Sequence, residues 1–598
     1  MNSARMIFKY WLRSRKFFFL EVFYELISTV FYILTPIFIG RMVGGLILNV
    51  PNKGFLLLIN FGFVLVFSSL RYITNRAARL RGAEVSSRAV YHLRTDISNA
   101  IYRQSFSYFD KTETGQLISR ATSDIEETQM IFGMGLTLGL QSILQIGAVI
   151  IGFVFFNVQL TLILIIAIAS SLFLSYYIAK KLKPIFMETR ESFGDLTNTI
   201  RENIVGAQVV RMFSTQNKER QKFSVHNKRF YDASVSSVKF NSLYMPAIYI
   251  IMGLLTIFNL IIGGILYLDN PMVLGTIVTL QSYIVALGFP LMMFGQIMLS
   301  YIQADAALTR VREVLESTPD IKDLPDAIPI VNGEIVIDDE NIKLQGEIVF
   351  DNVSFGYTPD HRILKNISFN VPSGKTIAIL GTTGSGKSTI INLIPRFYEV
   401  NEGNIKIDNR DIREYLVKDL RKNIGIVSQE TFLFNRSIAK NIAYGKEDAT
   451  EDEIIEASKI ANLHDFIESL PKGYDSIVGE RGTRLSGGQK QRLSIARALL
   501  IKPKILILDD STSSVDVETE FQIQKELLRI MKGTTTIIIT QRISTIRGAD
   551  YIVILDRGRV VGFGTHEKLI ESNVLYKQIY ETLYQKQKSK IKLEEGTN

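Results

Sequence analysis

The sequence predicts a membrane domain of six transmembrane helices with long extensions, followed by an α/β P-loop NTPase domain. Six long apolar stretches occupy the first half, each close to the roughly 20 residues that cross a bilayer as a helix. From about residue 346, short β-rich runs alternate with helical stretches, and one strand leads into a glycine-rich loop. With 598 residues, 47% of them hydrophobic, the chain is too long for one domain and too apolar for an ordinary soluble enzyme.

The spans are predicted from their apolar length. We place them at about residues 17–46, 54–74, 131–156, 159–180, 243–267 and 272–299. The first stretch continues through FYILTPIFIG without a small-residue cleavage site, so we expect it to remain as a helix rather than to be removed as a signal sequence.

The basic residues predict the topology. They concentrate in two long polar segments, 71–129 and 180–239, whereas the three short connections together hold one Lys. By the positive-inside rule, both long segments, both termini and the domain that follows the sixth span are expected to be cytoplasmic in a multi-pass protein of the cell inner membrane. The net charge of +9 is then explained mainly by the orientation of the spans in the membrane. We therefore expect no nucleic-acid partner, and we expect membrane lipids around the spans. The chain has no cysteine, which excludes disulfides and thiolate metal sites.

The long polar segments have recurring apolar positions, which predict helices that continue out of the membrane. Before the first span, IFKYWLRSRKFF is either an interfacial helix along the headgroups or a basic flank. Within that span, Glu25 either attracts cationic substrates or pairs with a basic residue, and Glu21 is expected to be solvated. The sixth span is rich in Met and Phe around Pro290, which suits either a promiscuous substrate surface or simple packing.

A change of composition predicts the domain boundaries. We expect a transmembrane domain over residues 1–310 and a linker rich in proline and acidic residues over 311–345. A nucleotide-binding domain over 346–580 and a charged tail over 581–598 complete the chain.

The strand KTIAIL enters the loop GTTGSGKST, which has the GxxxxGKS spacing of a phosphate loop. Glycines let the backbone N–H groups surround phosphates, so we expect a site for ATP and magnesium. Lys387 is expected to reach the β- and γ-phosphates, and Ser388 to ligate the metal. The nucleotide-binding residues of the loop are Gly381, Thr382, Thr383, Gly384, Ser385, Gly386, Lys387, Ser388 and Thr389.

A second motif identifies the family. LSGGQKQRLSIARAL resembles the signature of ATP-binding cassette (ABC) proteins, and its core residues are Leu485, Ser486, Gly487, Gly488 and Gln489. SYFDKTETGQLISRATSDI and ENIVGAQVVRMF are similar to the cytoplasmic loops of ABC exporters, within which DKTETGQ and GAQVVRM are candidate coupling helices. Essentially the whole chain resembles an ABC exporter half-transporter of the six-helix multidrug type.

The resemblance implies roles for further residues around the nucleotide. Tyr357 in FGYTP resembles the aromatic residue that stacks on adenine, and Gln429 in IVSQET resembles the Q-loop glutamine, a metal ligand. Asp516 in SSVD resembles the D-loop aspartate, and Asp509 is implied to hold magnesium through water.

Two residues depart from the family pattern at the catalytic edge. Asp510 occupies the position of the glutamate that polarises the attacking water, and Gln541 occupies the position of the switch histidine. A carboxylate one methylene shorter is displaced by about 1.5 Å, and glutamine cannot titrate as imidazole does. The chain therefore resembles the degenerate-site subunit of heterodimeric bacterial multidrug exporters, with an impaired ATPase site of its own.

The expected function is ATP-driven export of small hydrophobic or amphipathic compounds. Cassette domains pair head to tail, so the resemblance implies that the signature of this chain completes the catalytic site of a second ABC half-transporter. A sluggish homodimer, a lipid flippase and a regulatory ATP-binding scaffold remain as alternatives.

Overall fold

The computed structural model describes residues 3–47, 52–269, 273–337, 340–358, 360–509 and 533–595. They divide into two compact units. The first comprises residues 1–103 and 112–317, and the second comprises residues 104–111 and 318–598.

Twelve helices precede the first strand. They are α1 (Ser3–Leu12), α2 (Arg15–Ile47), α3 (Lys53–Tyr102), α4 (Phe106–Lys111), α5 (Thr114–Ala121), α6 (Ser123–Met130), α7 (Leu136–Phe156), α8 (Val158–Val205), α9 (Ala207–Met212), α10 (Gln216–Asn241), α11 (Tyr244–Asp269) and α12 (Val273–Glu316). A π-helical turn, Ile131–Gly135, joins α6 to α7. All of them except α4 belong to the first unit.

Six helical segments of the described chain are long and apolar enough to cross a membrane, which confirms the predicted number. They are Arg15–Leu46, Lys53–Tyr102, Thr114–Phe156, Val158–Val205, Pro246–Leu266 and Val273–Glu316. Three of these segments have 50, 48 and 44 residues. At about 1.5 Å per residue they far exceed the roughly 30 Å of a hydrocarbon core. The predicted helical extensions are therefore present, and the membrane part of the fold class is confirmed.

Side chains of α12 contact the backbone of α2 close to its proline. Pro36 has no backbone N–H and interrupts the hydrogen-bond ladder of its helix. Next to this interruption, the Tyr283 hydroxyl donates to the carbonyl oxygen of Ile33 at 2.8 Å. Thr279 Oγ1 lies 2.9 Å from the carbonyl oxygen of Gly275 in its own helix and 3.3 Å from that of Pro36, so its single proton is shared between the two. Side chains of α12 thus bond to backbone carbonyl oxygens of α2 close to its proline.

Two glycines set the distance between the same helices. A Cβ atom on Gly40 would lie 2.0 Å from Thr279 Oγ1 and 2.3 Å from the carbonyl oxygen of Gly275. A Cβ atom on Gly275 would lie 2.8 Å from the carbonyl oxygen of Gly40. Backbone atoms cannot rotate away as a side chain can, so any larger residue must push the helices apart.

We therefore expect Gly40→Ala to destabilise the membrane domain by about 1–3 kcal/mol, the usual cost of overpacking. The measurement is the thermal unfolding midpoint of the purified protein in detergent. Gly253→Ala is the matched control, because Gly253 lies in α11 and its added Cβ meets no atom within 4 Å. Equal midpoints for the two variants would contradict the close approach at Gly40.

Two carboxylates of α2 are buried. Glu21 and Glu25 are each 1% exposed. Glu21 Oε1 accepts a hydrogen bond from Thr137 of α7 at 2.8 Å, so the prediction of a solvated Glu21 is wrong. Neither carboxylate oxygen of Glu25 has a hydrogen-bond partner in the described part of the chain. Glu25 makes no direct ion pair with a described residue, but the charges of Arg79 and Arg71 act on its carboxylate, so the pairing alternative stays a prediction.

The second unit contains thirteen described strands. They are β1 (Ile330–Val331), β2 (Glu334–Ile337), β3 (Glu340–Lys343), β4 (Ile348–Phe355), β5 (Leu364–Val371), β6 (Thr376–Gly381), β7 (Glu402–Ile407), β8 (Arg410–Asp411), β9 (Ile424–Val427), β10 (Ile505–Asp509), β11 (Thr535–Ile539), β12 (Tyr551–Asp556) and β13 (Arg559–Gly564). The central sheet has the order β13-β12-β6-β11-β10-β9, parallel from β12 to β9. Two antiparallel sheets, β5-β4-β7-β8 and β1-β2-β3, accompany it.

Helices surround these sheets, as expected for an α/β domain. The described ones are α13 (Lys387–Leu393), α14 (Val417–Lys422), α15 (Ile438–Ile442), α16 (Glu451–Ile460), α17 (His464–Glu468), α18 (Gly487–Leu500), α19 (Ile543–Gly548), α20 (His566–Ser572) and α21 (Val574–Glu595). The strands β10 and β11 are buried almost along their whole length, which explains their unbroken apolar sequences. The α/β part of the predicted fold class is confirmed.

The short helix α4 packs inside the second unit. The ring of Phe106 lies 4.3 Å from the ring of Phe397, measured between centroids. The Tyr398 hydroxyl donates to Asp110 at 2.8 Å, and Ser107 donates to Asp320 at 2.5 Å. This helix, which belongs to the second unit, therefore overlaps the candidate DKTETGQ only at the first two residues of that segment. The other candidate, GAQVVRM, includes α9, whose side chains are largely exposed.

Candidate nucleotide-binding site

The predicted site residues gather at one edge of the central sheet. Strands β6, β11, β10 and β9 are parallel neighbours, so their carboxyl ends meet at the same edge. In the register of the sheet, Ile539 pairs with both Asp509 and Ile379. Ligands of open parallel sheets bind outside this edge. The phosphate loop follows β6, and the other candidate residues follow its neighbours.

The phosphate loop has the backbone that its glycines permit. Gly384 and Gly386 have φ angles of 79° and 101°, a region that side chains disfavour. A Cβ on Gly384 would meet no atom within 4 Å, so the loop leaves open space there. The hydroxyl of Ser385 is buried and has no hydrogen-bond partner among the described residues. Buried polar atoms are normally paired, so this orphaned group fits a site for a polar ligand.

Lys387 is held by the loop itself. Its Nζ donates to the carbonyl oxygens of Gly381 and Thr382, each at 2.9 Å. Burial lowers the pKa of Lys387, and the nearby carboxylate of Asp509 acts in the opposite direction. The ammonium group is thus partly desolvated beside a carboxylate, an environment in which it interacts strongly with phosphate oxygens. Ser388, the expected metal ligand, begins α13 with Lys387 and is exposed.

Tyr357 lies beside the phosphate loop although 30 residues separate it from Lys387. Its hydroxyl donates to Thr389 Oγ1 at 3.5 Å. Its ring packs edge-on against Phe355 and Tyr398, and the residue is 40% exposed. A rigidly supported, partly exposed ring is suited to stack on a base.

The remaining residues at the sheet edge lie at the carboxyl ends of their strands or two residues beyond them. Asp509 is the last residue of β10, Gln429 lies two residues after β9, and Gln541 lies two residues after β11. Gln429 and Gln541 are both exposed. The structure therefore brings the expected metal ligands and the Gln541 substitution to one edge. Asp510 and Asp516 lie outside the described residues.

The signature residues surround the start of α18. Ser486 and Gln489 form a capping box, in which the Ser486 N–H donates to Gln489 Oε1 at 2.9 Å and the Gln489 N–H donates to Ser486 Oγ at 3.3 Å. The Ser486 hydroxyl accepts in this pair and keeps its own proton to donate. Ser486 and Gly487 are exposed, and Leu485, Gly488 and Gln489 are partly buried. The start of a 14-residue helix is also the end at which an anion is stabilised.

Sequence reasoning missed the residue that holds α18 in place. Arg497 is partly buried, and its guanidinium donates to the carbonyl oxygens of Asn441 and Phe432 at 2.9 and 3.0 Å. Burial lowers the pKa of Arg497. The only signal in the sequence is that Arg497 lies among apolar residues of a helix. That signal does not identify the carbonyl groups to which the guanidinium donates.

Comparison with known proteins accounts for both units. Residues 18–291 match the family described as ABC transporter transmembrane region, and residues 364–513 match the family described as ABC transporter. The uncharacterized ABC transporter ATP-binding protein YknU of Bacillus subtilis (strain 168) is 35% identical over 98% of both chains. The structure is similar to that of a bacterial Atm1-family ABC exporter with ATP bound, with a TM-score of 0.81 and 27% identity over 96% of this chain and 99% of the other.

Two further relatives carry functional names. The ATP-dependent lipid A-core flippase of Syntrophus aciditrophicus (strain SB) is 35% identical over 84% of this chain and 82% of the flippase. YgaD of Bacillus subtilis (strain 168), named for multidrug export, is 36% identical over 83% of this chain and 84% of that protein.

Proposed function

Since this chain belongs to the ABC transporter family, as an exporter with its membrane domain fused to its ATPase, we propose that it exports hydrophobic or amphipathic compounds as one half of a heterodimer. Its membrane is the cell inner membrane, with the ATPase domain and both termini in the cytoplasm. The names of relatives support both a multidrug and a lipid substrate. The boundaries 1–310, 311–345, 346–580 and 581–598 remain our proposed division of the chain.

The residues present fit ATP and magnesium. The backbone of the phosphate loop and Lys387 would hold the β- and γ-phosphates, and the orphaned Ser385 hydroxyl offers a further polar group. Ser388, Gln429 and Asp509 are the proposed magnesium ligands, since they lie at the phosphate loop or at the carboxyl ends of parallel strands in the same sheet. Magnesium supplies charge stabilisation for phosphoryl transfer when it is bound. Tyr357 is the proposed support for adenine.

One observation carries the degenerate-site proposal: Gln541 is exposed at the carboxyl end of β11, beside the strand that ends in Asp509. A glutamine there orients a phosphate oxygen by hydrogen bonding but cannot accept and release a proton near neutral pH. Asp510 adds to this effect because its carboxylate is one methylene too short to reach the usual position of the attacking water. Both substitutions weaken hydrolysis while the parts that bind nucleotide are retained.

The consequence is an asymmetric pair of sites. The intact signature at Ser486 and Gly487 serves the ATP of the partner, whose own glutamate and histidine perform efficient hydrolysis. Closure of the two cassettes is transmitted to the spans through helices such as α4, whose ring and hydroxyl contacts bind it to the ATPase unit. ATP on the phosphate loop of this chain stays bound for longer than ATP on the partner.

The experiment that tests the proposal is purification from native membranes through an affinity tag on this chain. We expect a second, different cassette-bearing chain at one copy per copy of this one. Reconstituted vesicles of that assembly should move a hydrophobic cationic dye when ATP is added. A tagged chain that recovers only its own untagged copies would support a homodimer, and movement of phospholipid without dye would support a flippase.

A further inference from the structure

A strongly basic cavity lies beside the N-terminal helix of the first unit. Its volume is about 840 Å³. None of the described residues that line it is acidic, and six are cationic: Arg5, Lys9, Arg13, Arg15, Lys16 and Arg88. The exporter function described above uses none of these residues.

The fold creates this cavity by anchoring one face of α1. Met6, Ile7 and Tyr10 are at most 3% exposed, at the spacing of one helical face. The Tyr10 hydroxyl donates to Asp96 of α3 at 2.8 Å, and Trp11 Nε1 donates to the carbonyl oxygen of Phe132 at 3.1 Å. These bonds fix the rotation of α1, so its basic residues must lie on the opposite, exposed face.

Most of the cations in the cavity lack a counter-charge. Arg13 pairs with Asp96 at 2.7 Å, and the Arg88 guanidinium lies 4.5 Å from the centre of the Phe17 ring. The other four, which are Arg5, Lys9, Arg15 and Lys16, form no ion pair with any described residue. Four like charges around one cavity repel each other, and an anion bound between them would remove that cost.

A buried hydroxyl supports a ligand independently of the charges. Ser14 lines the cavity at the turn between α1 and α2, and it is only 6% exposed. Its Oγ has no hydrogen-bond partner among the described residues. A buried donor of this kind is normally satisfied, and a phosphate oxygen in the cavity is an acceptor that would satisfy it.

The apolar surroundings favour a lipid as the source of the phosphate. Phe8, Leu12 and Phe17 also line the cavity, and the membrane-spanning helix α2 begins at Arg15. Phe19 and Phe23, further along α2, are 60% and 54% exposed. A phospholipid combines a phosphate with acyl chains that cover such rings. We propose that this cavity binds the headgroup of an anionic phospholipid and so anchors α1 and α2 at the membrane surface.

The single tryptophan of the chain, Trp11, provides the test because it lies on α1. The full-length protein is placed in bilayers of phosphatidylglycerol and phosphatidylcholine, and quenching of Trp11 by brominated forms of each lipid is compared. We expect preferential quenching by phosphatidylglycerol. In the double variant Arg5→Ala with Lys16→Ala, the preference for phosphatidylglycerol over phosphatidylcholine should fall about fivefold for each cation removed. The two lipids should then quench Trp11 almost equally.

Lys218→Ala with Lys228→Ala is the matched control, since both lysines are exposed on α10 and neither lines the cavity. It should keep the native preference. Arg5→Gln with Lys9→Gln is a second pair in case the first lowers the unfolding midpoint. An unchanged preference in a folded cavity variant would overturn the proposal. Loss of the preference on adding inorganic phosphate at constant ionic strength would also overturn it, because the site would then bind a soluble anion.

Discussion

Asp510→Glu combined with Gln541→His should raise ATP hydrolysis by the purified chain by about a hundredfold or more. Restoring the longer carboxylate moves its oxygens by about 1.5 Å, and misplacement near 1 Å costs on the order of a hundredfold in rate. Restoring imidazole adds a group that titrates near neutral pH. Gln541 is exposed at the strand end, so the larger ring has room.

The measurement is steady-state phosphate release by the chain alone in lipid, for the native protein, each single variant and the double variant. Adding Lys387→Ala to the double variant is the control, because it removes the ammonium group from the phosphate loop and should abolish the gained activity. If the native chain already hydrolyses ATP as fast as the double variant, both substitutions are harmless and a homodimeric exporter becomes the better interpretation.

The sequence predicted those parts of the fold and site that depend on local patterns. The length of the apolar stretches predicted the six spans. The spacing of the glycines relative to Lys387 predicted a phosphate loop directly after a strand. Parallel pairing then brings Asp509, Gln429 and Gln541 to one edge without further information, because each lies at the carboxyl end of a strand or two residues beyond it in the same sheet.

Contacts between distant segments were not predictable in this way. The bond between Glu21 and Thr137 joins residues 116 positions apart, and a carboxylate near the end of a span has the same local sequence whether it is solvated or buried. The contact of Phe106 with Phe397 is equally non-local. It explains why α4, the helix that packs in the second unit, begins before the predicted coupling segment DKTETGQ. The hydrogen bonds of Arg497 were unpredictable for the same reason. Their acceptors are backbone carbonyl groups, which every residue carries, so the sequence does not mark them.

Gly487→Asp should lower ATP hydrolysis by the native assembly by about a hundredfold or more, the usual loss when stabilisation of a developing oxyanion is removed. The new carboxylate would stand at the exposed start of α18, where it repels the phosphates of the partner's ATP. The same charge favours the helix dipole, so α18 should fold normally. Gly487→Ala is the matched control, because it changes the backbone residue without adding charge.

The corresponding change in the other ATP site of the proposed heterodimer is Lys387→Ala in the same assembly. It should remove the retained ATP, measured as nucleotide that remains bound after gel filtration, while hydrolysis falls much less than in Gly487→Asp. Equal losses from the two variants would mean that the two sites are equivalent, as in a homodimer. Undiminished transport in Lys387→Ala would instead favour a scaffold, because a site that contributes to closure cannot lose its nucleotide without slowing the cycle.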